Sequence, residues 1–387
     1  MAHNCRILLV EGSGRGFLTQ YTHALATGLS ELGHKVRLVS GRRDELANWQ
    51  IKFDKRPCFS GGVRGWWNVA QQVRKFRPDI VHLQWVDNPV AALALVLWLK
   101  QRAIGTVYTP HNLLPHRWRW LSTPVYRALF HSVDKVVARD EKIAWGLEEV
   151  LALPPRRIVN LAGSPNFIAC PDKPRVPLPE LHVCGNNPGN KEFRVLFFGH
   201  GSGRKGLSDF LASLPEHDWP QGFHFIIAGE GVARKIDKKA LANAAKTCRL
   251  TIINRYIAPQ FVASLFESSD LMVMPYVKLC KSPLLDLAAA FALPVLRSQR
   301  VEGASFIEGI HGVTLPATGA KQIGDEILRL AKNTKQLAKM RAAIAAGEPL
   351  SLSIKRLAHA HSQLYSTLPQ TTTSKTPLHA RVSRQKA

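Results

Sequence analysis

Phe193–Gly206 reads FRVLFFGHGSGRKG, an apolar run of strand length that breaks into Gly199, Gly201, Gly203 and Gly206 around Arg204 and Lys205. LSDFLASL follows with helical spacing of its apolar residues. A strand, a glycine-bearing loop and a helix make one βα unit. Glycines in such a turn let backbone N–H groups approach phosphate oxygens, and a helix start favours negative charge. The stretch is therefore a candidate anion site; an ordinary basic turn is the alternative.

The same alternation runs outward in both directions. Downstream come FHFIIAGEG, ALANAAKTC, LTIINRYI, PQFVASLFESSD, LMVMPY, SPLLDLAAAFAL and PVLRS, strands and helices in turn. Upstream, CRILLVEGSGRG opens the chain as a buried strand and glycine loop, and TQYTHALATGLSELGH is a helix stopped at Gly33. KVRLVS, DIVHLQW, TVYTPHN and DKVVARDE read as further strands, separated by helical GWWNVAQQVRKFRP, PVAALALVLWLKQRAI and WLSTPVYRALFHSV. This pattern means α/β architecture with parallel, doubly wound sheets. A Pro-, Gly- and Asn-rich stretch interrupts it, SPNFIACPDKPRVPLPELHVCGNNPGNKE. The expected division is a Rossmann-like domain over residues 1–165, a linker over 166–192, a second Rossmann-like domain over 193–348, a C-terminal helix over 349–366 and a basic, disordered tail over 367–387. Two such domains imply a central cleft facing the C-terminal ends of both sheets, where open α/β sheets bind ligands.

The chain has 387 residues, 45% of them hydrophobic, enough to bury more than one core. Its formal charge of +24 makes an anion the expected partner: nucleic acid, anionic lipid or a phosphorylated substrate. No recognised DNA- or RNA-binding motif accompanies the charge, so nucleic acid is the weaker reading. The six cysteines have neither zinc-site nor disulfide-framework spacing, which suits a reducing cytoplasm. The longest apolar run, Pro89–Leu99, is too short to span a bilayer.

Taken in order, FFGHGSGRKG, IAGEG, NRYIAPQFVASLFESSDLMVMPY, SPLLDLAAAFALPVLRS and EGIHGVTLP resemble the nucleotide-sugar half of GT-B glycosyltransferases, family 4 and its bacterial exopolysaccharide relatives. DIVHLQW and TPHNLLPH resemble first-half segments of polysaccharide-assembly mannosyltransferases. The resemblance spans roughly Ile7–Leu364 and implies a metal-independent hexosyltransferase that needs no cofactor, with a nucleotide-sugar donor, GDP-mannose as the first choice. It implies donor-side roles for Gly199, His200, Gly203, Arg204, Lys205, Gly229, Glu230, Tyr256, Ser282, Pro283 and Leu284, with Lys205 on the donor diphosphate. It also implies a polyprenyl-diphosphate-linked glycan acceptor at the inner face of the cell membrane, approached from the side of Gly14, Asn112 and His116. Two departures stand out: Leu279 and Leu287 occupy positions where many family members carry glutamates. They leave a catalytically inactive scaffold as an alternative.

An inverting transferase needs a general base within hydrogen-bond reach of the acceptor hydroxyl, whereas a retaining one can pass that proton to the leaving phosphate. The candidate bases at strand ends are Asp87, Glu11 and His111, and for His111 the resemblance implies a contact with the donor sugar instead. His111 and His116 are five residues apart, which is not the i, i+4 spacing of a zinc helix, and no metal is expected. Gly12, Gly14 and Gly16 form a GxGxG that could signal a dinucleotide. The second strand, however, ends in Ser40, Arg42 and Arg43 without the acidic ribose partner, leaving only an NADP variant of that idea. Finally, RWRWLSTPVYRALF interleaves arginine with aromatic residues, and Trp66, Trp67, Arg74, Lys75 and Arg77 extend the theme. Such a surface suits an anionic membrane.

Overall fold

A computed structural model of the chain describes residues 4–111, 119–163, 165–182, 192–235, 238–303, 306–315 and 319–369. The first half alternates β1 (Arg6–Glu11), α1 (Phe17–Glu31), β2 (Lys35–Gly41), β3 (Asp54–Phe59), α2 (Gly62–Phe76), β4 (Ile80–Leu83), α3 (Pro89–Lys100), β5 (Gly105–Tyr108), α4 (Arg119–Ser132), β6 (Lys135–Ala138), α5 (Glu141–Trp145) and β7 (Ile158–Asn160). These strands form one sheet in the order β3-β2-β1-β4-β5-β6-β7, and every ladder in it is parallel. After α6 (Pro179–His182) the second half contributes β8 (Phe193–Phe198), α7 (Leu207–Ser213), β9 (Phe223–Ala228), α8 (Lys238–Thr247), β10 (Arg249–Ile253), α9 (Pro259–Glu267), β11 (Leu271–Met274), β12 (Cys280–Lys281), α10 (Leu284–Ala290), β13 (Val295–Ser298), β14 (Val301–Glu302) and β15 (Gly312–Leu315). Its six-stranded sheet runs β10-β9-β8-β11-β13-β15, again parallel, while β12 and β14 make a small separate ladder. Helices α11 (Ala320–Lys332), α12 (Thr334–Ala345) and α13 (Leu350–Ser366) close the chain.

The central strands are buried almost end to end, as parallel strands covered on both faces must be. β1 and β8 hold equivalent places in their sheets, each the point at which strand order reverses. Five strands lie outside the sequence expectation: β3 and β7 in the first half, and β12, β14 and β15 in the second. β3 carries Pro57, which its edge position tolerates because that proline has no N–H to give to a ladder. β7 is three residues long, too short for any periodicity.

The two halves share apolar interior. One core cluster joins Ala24, Leu46 and Trp49 of the first half to Phe266, Met272 and Leu285 of the second, with Phe167, Ile168 and Leu178 of the expected linker buried among them. Helix α13 then returns to the first half. Its Leu357, Ala358, Leu364 and Tyr365 are buried with Ile7, Leu25 and Val107. Gly28 of α1 permits the approach: a Cβ there would lie 2.7 Å from that of Ala358. Each such large apolar side chain contributes roughly 1.5–3 kcal/mol when fully buried. His34 to Ser362 (2.8 Å) and His82 to Tyr365 (2.7 Å) add polar ties.

Candidate active site

The loop after β1 is built around a buried carboxylate. Glu11 is fully buried and accepts hydrogen bonds from Ser13 N–H (2.7 Å), the Ser13 hydroxyl, Gly14 N–H (3.2 Å) and the Thr19 hydroxyl (2.7 Å). Burial pushes its pKa up, and those donors pull the other way. Both of its oxygens are therefore committed to shaping residues 12–16. Gly14 sits at φ +65°, and a Cβ there would meet the Arg43 carbonyl at 2.8 Å.

The loop after β8 is built around a half-buried cation. Gly199, at φ +119°, leaves room for Lys205: a Cβ at Gly199 would lie 2.2 Å from the lysine Nζ. Gly206, also left-handed at φ +68°, lets α7 begin directly against the Pro275 carbonyl, 1.8 Å from where its Cβ would be. Lys205 thus folds back under its own loop, 5.7 Å from the Tyr276 ring centroid and near Leu284, which lies 3.5 Å from the same empty Gly199 position. No carboxylate pairs with Lys205 among the described residues. Burial lowers its pKa to about 8, with the Cys280 thiol opposing the shift and Arg204 adding to it. Ser282 is buried beside it, its hydroxyl 3.3 Å from that of Tyr276 and 3.4 Å from the Leu284 N–H. Gly199, Lys205, Ser282 and Leu284 lie together here with Tyr276, which the sequence reading did not name, and Pro283 precedes α10 next to them in the chain. His200, Gly203 and Arg204 lie exposed on the loop above, and a Cβ at Gly203 would meet nothing.

Between the two loops the halves touch. Arg15 pairs with Glu230 at 3.1 Å and stacks over Tyr256 at 3.8 Å. The Tyr256 hydroxyl donates to Glu45, which also accepts from Gly16 N–H (2.8 Å) and Gln20 (3.3 Å). Lys281 reaches Asp140 at 2.7 Å. Glu230 and Tyr256 thus engage first-half side chains, with Arg15 and Glu45 as partners the sequence reading missed. Gly229 keeps the loops flush, since a Cβ there would lie 2.1 Å from the Gly199 carbonyl.

Residues 18–160 match the family described as Glycosyltransferase Family 4, and residues 192–333 match Glycosyl transferases group 1. The chain is a GT-B glycosyltransferase. A glycosyltransferase from Rickettsia africae superposes with a TM-score of 0.66 at 15% identity, over 94% of this chain and 98% of that one. Anabaena Alr3699/HepE, in complex with UDP and glucose, does so with a TM-score of 0.68 at 14% identity, over 94% and 100%. A putative UDP-N-acetylglucosamine 2-epimerase from Listeria monocytogenes shares the fold too, with a TM-score of 0.64 at 14% identity over 95% and 99%. At these identities the likeness speaks for the fold alone. No curated protein sequence matches the chain.

The remaining candidates of the transferase distribute unevenly. Asp87 is half-buried, with one oxygen on the Gly62 N–H (2.6 Å) at the start of α2 and the other on the Trp66 indole N–H (2.8 Å). Like Glu11, it has both oxygens engaged. His111 follows β5; Arg139 donates to its Nδ1 at 2.8 Å, while its Nε2 is buried with no partner among the described residues. Burial first, and the Arg139 charge second, hold its pKa well below the usual imidazole value. Asn112 and His116 lie outside the described residues. At the two positions that depart from the resemblance, Leu287 is a core side chain beside Ala288 and Phe291, whereas Leu279 is 55% exposed.

Proposed function

We propose that the transferase moves a hexose from a nucleoside-diphosphate sugar to a lipid-linked glycan, in the assembly of a bacterial exopolysaccharide or related cell-surface polysaccharide. The observation that supports this reading is Lys205. It is a half-buried ammonium beneath a glycine loop, with no carboxylate partner among the described residues. A cation left so is costly to the protein alone and is stabilised when a diphosphate arrives. In the reaction, the acceptor hydroxyl oxygen bonds to the anomeric carbon as the bond from that carbon to the diphosphate oxygen breaks. Lys205 stabilises the negative charge that gathers on the leaving diphosphate. Glu11 and Asp87 are both engaged in holding loops, so the hydroxyl proton passes to a leaving phosphate oxygen in this reading, with neither carboxylate as base.

The resemblance favours mannose and GDP, whereas the UDP of Anabaena HepE keeps uridine donors in the panel. The acceptor side of the reading rests on charge. Among the described residues no helix is long and apolar enough to cross a membrane. Helices α2 and α3 nevertheless expose Val63, Trp67, Val90 and Leu97, and Arg74 and Arg102 stack on Trp67 and Trp98. Between Gly61 and Ser132 the only acidic residues are Asp79 and Asp87, and Asp87 is turned onto α2. Such an apolar, basic face suits peripheral contact with anionic lipid at the cytoplasmic side of the membrane.

Thermal-shift measurements with GDP, UDP and their sugars test the donor reading, and a flat panel would sink it. Cosedimentation with anionic against neutral vesicles tests the membrane contact. A second reading, an inactive scaffold, draws on Leu279 and Leu287; nucleotide binding without sugar release from any donor would favour it.

A further inference from the structure

We propose that Arg139 is a positioning residue that fixes His111 in the tautomer with its proton on Nε2, so that His111 presents the sugar site with a hydrogen-bond donor and not a base. The inference rests on the transferase reading above for the word sugar, and on geometry alone for the tautomer.

A guanidinium has only donors. Its Nη1 lies 2.8 Å from His111 Nδ1, so Nδ1 must hold a lone pair and accept. In a neutral ring the proton then sits on Nε2. A doubly protonated ring would set one N–H against another and two positive charges side by side.

The guanidinium is not free to leave. Arg139 follows β6 and lies 4.5 Å over the Tyr21 ring and 5.1 Å over Phe17, both from α1. The His111 ring stands edge-on to Tyr21 at 5.6 Å. Among the described residues, the charged and titratable groups facing it are Arg139 after β6, Tyr21 of α1 and His82 of β4. None of them is a carboxylate that would favour the imidazolium, and burial disfavours it further. The consequence falls on the other nitrogen. His111 Nε2 is buried without a partner among the described residues, so it carries an N–H that a ligand oxygen would satisfy. Such a position recognises an acceptor, for instance the lone pair of a sugar hydroxyl, and has no lone pair of its own with which to remove a proton.

The test begins with the ligand-free, full-length protein carrying 15N-labelled histidine, its His111 signals assigned with His111→Gln. Long-range 1H–15N spectra should show a pyridine-type Nδ1 and a pyrrole-type Nε2 that do not titrate around neutrality. A pyrrole-type Nδ1 would overturn the proposal without any variant. Arg139→Met leaves His111 buried and neutral but should free the tautomer, so that both ring nitrogens shift toward values averaged between pyridine-type and pyrrole-type. It should also lower kcat/KM about tenfold through the sugar donor, the scale of one lost hydrogen bond, while the Kd for the nucleoside diphosphate alone holds. Arg139→Lys, which keeps a donor, should restore most of both. Unchanged His111 signals and unchanged kcat/KM in Arg139→Met would also overturn it. Absence of nucleotide binding in the wild-type protein would instead strike the transferase reading, and the tautomer would still be read directly.

Discussion

The loops after β1 and β8 occupy the same topological position, yet they treat charge in opposite ways. In the first, Glu11 is surrounded by four donors from Ser13, Gly14 and Thr19. In the second, Lys205 is half-buried near Tyr276 and Leu284 without an opposite charge among the described residues. Both loops are glycine-rich, and in each a left-handed glycine, Gly14 or Gly206, lets backbone pass close. What separates them is whether the ion is already satisfied. A satisfied ion holds architecture, and an unsatisfied one is held ready for a ligand.

Removing the unsatisfied ion should have the largest effect. Lys205→Met should lower turnover about 100–1000-fold, the usual scale for one lost oxyanion-stabilising contact. It should also abolish stabilisation by nucleoside diphosphates while leaving the ligand-free protein as stable or more so, because burying that ammonium is unfavourable. Thermal shift and a sugar-transfer assay report the two effects separately. A variant that loses stability but keeps nucleotide binding would make Lys205 structural, and the contrast between the loops would fail.

The satisfied ion should behave in reverse. Glu11→Leu leaves the Ser13 and Gly14 N–H groups buried without acceptors and should cost roughly 2–4 kcal/mol of stability. Glu11→Gln keeps an acceptor for them, and Thr19 can rotate its hydroxyl to accept from the amide. It should therefore cost about 1 kcal/mol or less and retain most activity. Loss of turnover in Glu11→Gln with an unchanged melting temperature would instead make Glu11 the general base.

A pH series sharpens the same comparison. The folded pKa of Lys205, about 8, lies below the usual lysine value of ~10.4. Between those two values the unfolded chain holds a proton that the folded one has released. Stability therefore rises with pH across that window, by up to about 3 kcal/mol. The relevant measurement is the difference between wild type and Lys205→Met, in which the other titrating groups cancel. Nucleotide affinity should run the other way and weaken as pH climbs past about 8, where the ammonium is lost.

Much of this was legible before any coordinates. The alternation of apolar runs and helical spacings defined two parallel sheets, and the glycines around Arg204 and Lys205 marked the second loop. The rest depended on where distant residues meet. Helix α13 shows an apolar face in sequence, but nothing there says that Leu357 and Tyr365 will pack on the first half. β3 was hidden by Pro57, which is tolerable only at a sheet edge. The role of His111 depends on Arg139, 28 residues further on. Phe167 and Leu178 look like parts of a polar linker until their burial is seen. Charged groups mislead most, because their partners are set by tertiary contact and not by neighbours in sequence.

The smallest effect should come from the contact that joins the two loops. Arg15 and Glu230 are 49% and 54% exposed, so their ion pair is well solvated and worth about 0–1 kcal/mol. Arg15 also stacks on Tyr256, whose hydroxyl is tied to Glu45. Glu230→Gln should leave the melting temperature almost unchanged, whereas Arg15→Ala, which removes the stacking as well, should lower it slightly more. A double-mutant cycle between Arg15 and Glu230 should return a coupling below about 1 kcal/mol that shrinks with added salt. A larger, salt-insensitive coupling would mean that the two loops are latched to one another. In that case the contrast between a finished first loop and a waiting second one would have to be redrawn as a single shared unit.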